Sequence, residues 1–457
     1  MKILHLIALP LLVASALHMS ANDLSGTWAG QLKVAPGAAL KLVFHIQPPA
    51  EISIDSPDQN AYGIPGEIEY LSADSIAMKV PALRMSYTGR RDADSISGTF
   101  SQGGLSLPLI LEKGTSEADT PSRPQTPRPP FPYTAEEVTV SHDGATLCGT
   151  LTIPEGASEL TPAVVMVTGS GLQNRDEEIF GHRPFAVIAD YLARRGIASL
   201  RYDDRGCGAS KGDVEKATTA DFADDARAVA EWLRRTGRFG RIGMLGHSEG
   251  GLIAYRLGSH PGLLDFVVSV AGPSVRGDSI LLAQNANSLA QSGITGTTAS
   301  DFLTALSKAF QIKINDPDTE ITPSLLDEIY PAHDSSAISR QLAASISQLS
   351  GNDWTPWMQY FIGYSPAADL SALSSLGIPT LILYGENDTQ VPASLNAPAA
   401  RANAPGAEVR VYPALNHLMQ HSVTGQAAEY PLIEETISPQ VLTDIADFIL
   451  RGTSPTL

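Results

Sequence analysis

Residues 246–251 read Gly-His-Ser-Glu-Gly-Gly, between the apolar run Ile242-Gly243-Met244-Leu245 and the segment Leu252-Ile253-Ala254-Tyr255. A serine flanked by glycines at a strand-to-helix turn sits on a bend so tight that larger neighbours would clash. Its hydroxyl then stands above the sheet edge, at the positive end of the following helix. Ser248 is the candidate nucleophile; the bland alternative is a chance serine in a glycine-rich loop.

A serine hydroxyl attacks near neutral pH only when a base takes its proton, and that base needs a carboxylate to fix its tautomer. Downstream, Thr380-Leu381-Ile382-Leu383-Tyr384 reads as a buried strand followed by Gly385-Glu386-Asn387-Asp388. Asp388 is the expected acid, with Glu386 as competitor. The next strand, Val409 to Tyr412, leads into Leu415-Asn416-His417-Leu418-Met419. His417 is the expected base, and His421 lies farther from the strand end. Negative charge developing on a substrate oxygen also needs donors. One is the Glu249 backbone N–H at the start of the helix. The second comes from Thr168-Gly169-Ser170-Gly171-Leu172, with Ser170 the first choice and Gly171 or Leu172 open. His417 and His421 share a spacing found in some zinc sites, but no Glu follows the first, so no metal is expected.

These residues need a scaffold, and the chain changes character along its length. Residues 22–114 read as an all-β domain. Leu40, Leu42, Phe44 and Ile46 alternate with polar neighbours or Val43, and Leu83, Met85, Tyr87 and the run Leu105 to Leu111 repeat the period. Ser56-Pro57-Asp58 and Gln102-Gly103-Gly104 mark turns, and a small sandwich or barrel is expected. Residues 115–134 hold Pro121, Pro124, Pro127, Pro129, Pro130 and Pro132 and read as a semi-rigid linker. From 135 to 457, short apolar runs alternate with helical stretches such as Ala186 to Arg195 and Asp221 to Arg235. That alternation predicts an α/β fold, a mostly parallel sheet with helices on both faces. About a hundred residues between Ala271 and Thr380 lack a strand pattern and predict a helical cap at about 273–370. Trp354, Trp357, Tyr360, Phe361 and Tyr364 near its end read as cap core or pocket wall.

With 49 acidic against 31 basic side chains, a net charge of −18 excludes nucleic acid and anionic lipid as partners. The 457 residues suit two domains, and 43% hydrophobic residues suit a globular chain. Residues 1–21 form a short apolar stretch with one early lysine and small residues at Ala14-Ser15-Ala16 and Met19-Ser20-Ala21. It reads as a secretory signal, so a periplasmic or secreted protein with no membrane span is expected.

Taken together, the segments Gly169-Ser170-Gly171…Asn174-Arg175-Asp176-Glu177, Arg201-Tyr202-Asp203-Asp204-Arg205-Gly206, Gly246-His247-Ser248-Glu249-Gly250-Gly251 and Asn416-His417 resemble the α/β-hydrolase superfamily. The resemblance is closer to bacterial secreted carboxylesterases and serine-aminopeptidase-like hydrolases with an N-terminal β domain. It covers residues 135–450 with specific motifs and implies an α/β-hydrolase fold. It also implies esterase activity on a small-molecule ester with short acyl chains, using Ser248, Asp388 and His417 and no cofactor. Thr168 departs from the wider superfamily, where His often precedes the oxyanion glycine. Asp176, Glu177 and Glu178 read as solvated surface, as a site for a substrate ammonium, or as braces paired with Arg175 or Arg205. Asp203, Asp204 and Arg205 read as organising a turn. In the superfamily's sheet, Cys148 and Cys207 come near one edge, and an oxidising compartment would permit a bridge. Two other readings stay open: a peptidase acting from the amino end, and a non-catalytic binding protein on a hydrolase scaffold.

Overall fold

A computed structural model of the chain describes residues 24–451, apart from 36–37, 48–50, 57–60, 73, 84, 103–104, 115–121 and 349–353. The leader, the turn at Pro57-Asp58 and the tip at Gly103-Gly104 lie outside the described residues. The chain forms two compact units with the boundary at Ser122 and Arg123.

The first unit is a closed antiparallel barrel, with each strand paired to the next. Its strands are β1 (Gly26–Ala35), β2 (Ala38–Gln47), β3 (Glu51–Ser56), β4 (Ala61–Leu71), β5 (Ser75–Val80), β6 (Met85–Asp92), β7 (Ser95–Gln102) and β8 (Leu105–Lys113). The two-residue period sends Leu42, Phe44 and Ile46 inward to join Trp28, Met78 and Tyr87. Leu83 departs from that period, because it lies in a 3-10 turn, Pro81–Leu83, and is exposed. Gly89 and Gly98 leave room for the Tyr87 ring: an added Cβ at either would come within 2.8 Å or 2.5 Å of the phenol oxygen. That hydroxyl donates to the Ile96 and Leu109 carbonyls.

The second unit is built on an eight-stranded sheet ordered β16-β15-β14-β13-β11-β12-β10-β9. These are β9 (Tyr133–His142), β10 (Ala145–Pro154), β11 (Ala163–Val167), β12 (Ala198–Tyr202), β13 (Ile242–His247), β14 (Val267–Val270), β15 (Thr380–Gly385) and β16 (Glu408–Tyr412). β10 runs antiparallel to β9 and β12, and the pairs from β12 to β16 are parallel. Alternate side chains of one strand feed two cores. Val165 and Val167 face α2 (Thr219–Arg235) and α3 (Glu249–Gly258), while Val164 and Met166 join α1 (Pro184–Arg194). The proline-rich segment is less of a free linker than its composition suggests. Arg123 donates to the Ile433 and Phe180 carbonyls, and the Gln125 amide binds the backbone at Thr436 and Ile437.

Between β14 and β15 run helices α4 (Gly277–Gln291), α5 (Gly296–Asn315), α6 (Pro323–Ile329), α7 (Ala337–Gln348), α8 (Pro356–Gly363) and α9 (Ala367–Ser375). A separate apolar cluster from Leu289 to Ile362 makes the cap cohere. Ile280 of α4, Phe361 of α8 and Leu370 and Leu373 of α9 join the core of the sheet and so fasten both ends of this helical segment to it. After β15 come α10 (Ala393–Asn403) and, at the end, α11 (Pro439–Arg451).

Candidate active site

Ser248 joins β13 directly to α3 with φ 51° and ψ −120°, a left-handed conformation that costs a non-glycine residue roughly 1–3 kcal/mol. Close packing holds it there. A Cβ on Gly246 would fall 1.9 Å from the Gly250 oxygen, and one on Gly250 would fall 2.1 Å from the Val167 oxygen. The Ser248 N–H donates to Val270 O at 2.9 Å, and the Ser248 oxygen receives Gly251 N–H at 2.9 Å. The side chain does not cap its own helix.

The acid and base meet. His417 Nδ1 lies 2.8 Å from Asp388 Oδ2, and both side chains are almost fully buried. Asp388 Oδ1 accepts the N–H groups of Gln390 and Val391, each at 2.8 Å, so the carboxylate is fixed at both oxygens. An ionised carboxylate only accepts, so Nδ1 carries the proton and Nε2 is left free to take one. Asn416 stiffens the histidine loop by accepting from the N–H groups of Leu418 and Gln420. The cap is tied to the acid loop, with Gln284 and Asn287 of α4 donating to the Gln390 and Thr389 carbonyls.

The two competitors stand apart. Glu386 is exposed. His421 pairs with Glu435 at 2.8 Å on the surface.

Ser248, His417, Gly169, Ser170, His247, Glu177 and Gln390 share the wall of an open cavity of about 100 Å³. Among the described residues no hydrogen bond joins Ser248 to His417, and such contacts commonly tighten when substrate binds. Glu249 is the first residue of α3, where an amide has no acceptor inside the helix. The Gly169 N–H is already taken by Glu177 Oε1 at 2.8 Å, which leaves Ser170 as the next amide of that loop. An added Cβ on Gly169 would lie 3.2 Å from Ser248 Cβ, so this loop runs against Ser248. Thr168, the departure from the wider superfamily, donates its hydroxyl to Asp204 at 3.0 Å.

The Glu249 side chain points away from its amide into a buried polar nest. Its Oε1 accepts Thr219 Oγ1 at 2.5 Å and the Trp357 indole N–H at 2.8 Å. Burial raises its pKa, and hydrogen bonds from Thr219, Trp357 and Ser170 only partly offset that. Trp357 also stacks on Phe361, and Tyr360 receives Arg256 at 2.7 Å. These aromatic residues bind the cap to the sheet unit.

The acidic triplet Asp176-Glu177-Glu178 that follows the Gly169 loop divides. Asp176 pairs with Arg201 and Glu178 with Arg183. Glu177, by contrast, is 3% exposed and holds a positive φ of 52°, which corrects the reading of it as solvated surface. Its Oε1 accepts from both Gly169 N–H and His247 Nδ1. Asp203 holds Arg175 through two contacts, and Arg205 holds Asp225, so both turn residues brace the loops. Cys148 and Cys207 are both free thiols, unlike the bridge the resemblance allowed.

Sequence reasoning missed His247, and it weighed Glu177 only as one of an acidic triplet, without its partners Gly169 and His247. His247 sat unread as the variable position of the serine motif, and nothing local separates Glu177 from its acidic neighbours.

This sheet order, elbow and loop set define an α/β hydrolase. The family model described as alpha/beta hydrolase fold matches residues 162–422, and the chain belongs to that family. Esterase EstD of Thermotoga maritima is 32% identical over 143 residues, 31% of this chain and 34% of that protein. The chain thus spans about a third of the length of that curated relative. Among solved structures, the Pyrococcus furiosus esterase Pf2001 is 16% identical, covering 70% of this chain and 94% of its own, with a TM-score of 0.41. Proline iminopeptidase of Mycobacterium smegmatis is 18% identical, covering 70% and 99%, with a TM-score of 0.43.

Proposed function

We propose that the chain is a serine hydrolase that cleaves carboxylic esters, with short acyl groups, through an acyl-enzyme. The observation that carries this reading is the buried Asp388–His417 pair at 2.8 Å, whose His417 lines the same cavity as the Ser248 elbow. Ser248 Oγ attacks the ester carbonyl while His417 Nε2 takes its proton. The Glu249 and Ser170 amides receive the oxyanion, and removing one such donor typically costs about 10²–10³ in turnover. His417 then hands the proton to the departing alcohol. Water, deprotonated by the same imidazole, releases the acid and restores Ser248.

A peptidase acting from the amino end needs a carboxylate free to hold an ammonium. Glu177 lines the cavity, but its Oε1 is committed to Gly169 and His247. That commitment favours the esterase reading. Turnover of p-nitrophenyl acetate against aminoacyl-nitroanilides tests it: cleavage of the ester alone is expected, and preferential cleavage of the anilides overturns it. The leader at residues 1–21 supports a periplasmic or secreted location. Processing at Ala16 or Ala21, read by N-terminal sequencing of the exported protein, checks that.

A further inference from the structure

His247 directly precedes the nucleophile and is buried. Its Nδ1 lies 2.9 Å from Glu177 Oε1, and its Nε2 lies 3.0 Å from the backbone oxygen of His417. A carboxylate and a carbonyl can only accept. Both contacts are hydrogen bonds only if both ring nitrogens carry protons. A neutral imidazole would instead press a ring lone pair against one of the two oxygens, an unfavourable contact in a largely buried position.

We propose that His247 is a positioning residue that works as an imidazolium, a charged link joining the oxyanion loop to the loop of the catalytic base. On one side it grips Glu177, which holds the Gly169 N–H. On the other it donates to the residue that carries the base. Because His247 and Ser248 are adjacent, the link ties nucleophile, oxyanion loop and base into one unit. This rests on the reading of Ser248 and His417 given above.

The groups facing the ring are Glu177 from the oxyanion loop, the His417 ring with its centroid 4.8 Å away, and Asp388 from the loop after β15. Burial works against the charged form. The Glu177 carboxylate, the His417 carbonyl and the Asp388 charge together more than reverse it, so the His247 pKa lies above its ordinary value of 6.5. The charged form therefore persists to higher pH than in a free imidazole, and the link opens as pH rises past that raised pKa. When the proton leaves, the remaining N–H stays with the Glu177 anion, the stronger acceptor, and the His417 carbonyl loses its donor.

The test reads the ring nitrogens directly. In the full chain labelled with ¹⁵N-histidine, the His247 signals are assigned by difference from His247→Gln. Both nitrogens protonated near neutral pH is the expected result, and a neutral ring there overturns the proposal whether or not the protein hydrolyses esters. In parallel, kcat for p-nitrophenyl acetate falls on the alkaline side along the same titration, while KM changes little. Glu177→Gln keeps an oxygen acceptor but removes the anion, so it moves both the ring titration and the fall in kcat to lower pH together. His247→Gln loses the fall altogether and lowers kcat about ten- to a hundredfold, as expected for a misplaced base. A ring titration with no matching change in kcat would overturn the positioning role. No ester turnover beside an intact imidazolium would refute the proposed reaction and leave the charged link standing.

Discussion

Asp204 follows β12, is 6% exposed, and accepts the Thr168 hydroxyl and the Gln173 N–H. Burial pushes its carboxyl from 3.8 up to about 7; these hydrogen bonds pull it back, and the Glu177 and Glu249 charges add to the rise. The folded chain therefore holds a proton that the unfolded chain gives up near 3.8. The sign follows: Asp204 contributes most stability below that value and loses it as pH rises toward about 7. The rise from 3.8 to about 7 is worth about 4 kcal/mol in full. Between about pH 5.5 and 8.5 the part lost is about 2 kcal/mol. Asp204→Asn removes the titration yet keeps an oxygen for Gln173 N–H and an amide for the Thr168 oxygen. Urea unfolding of both proteins, followed by tryptophan fluorescence, measures the difference. The variant should gain about 2 kcal/mol on the wild type across that range, with little further change above it. A difference independent of pH would refute the reasoning.

Other consequences are as direct. Asp388→Asn should lower kcat for ester hydrolysis about 10⁴-fold with little effect on KM, while Glu386→Gln and His421→Asn leave kcat where it was. Gly250→Ala drives a methyl onto the Val167 oxygen and should destabilise the hydrolase unit by about 3 kcal/mol or more, seen as a lower urea midpoint. Trp357→Phe removes one donor from the buried Glu249 carboxylate and should cost about 1–3 kcal/mol by the same measurement.

The sequence was most legible where chemistry sits on local signatures. Ser248 and Asp388 follow the buried strands β13 and β15 and His417 follows the outer strand β16, and the strand pattern places all three at one end of the sheet before any coordinate is known. Strand β9 was not legible, because Tyr133–His142 forms the sheet edge, is largely exposed, and carries Glu136 and Glu137 where a central strand would carry apolar residues. The proline-rich stretch misled for a different reason. The partners of Arg123 and Gln125 lie about three hundred residues downstream, and local composition holds no trace of them. Glu177 and His247 were hidden likewise: a positive φ turns one carboxylate of three inward, and only the folded loops bring an imidazole between two acceptors.

Intact-mass and peptide mass spectrometry after treatment with a fluorophosphonate asks whether one hydroxyl in this molecule is singled out for attack. A single adduct on Ser248, abolished in Ser248→Ala and strongly slowed in His417→Ala, is the predicted result. An unlabelled protein, or an adduct elsewhere, would contradict the account.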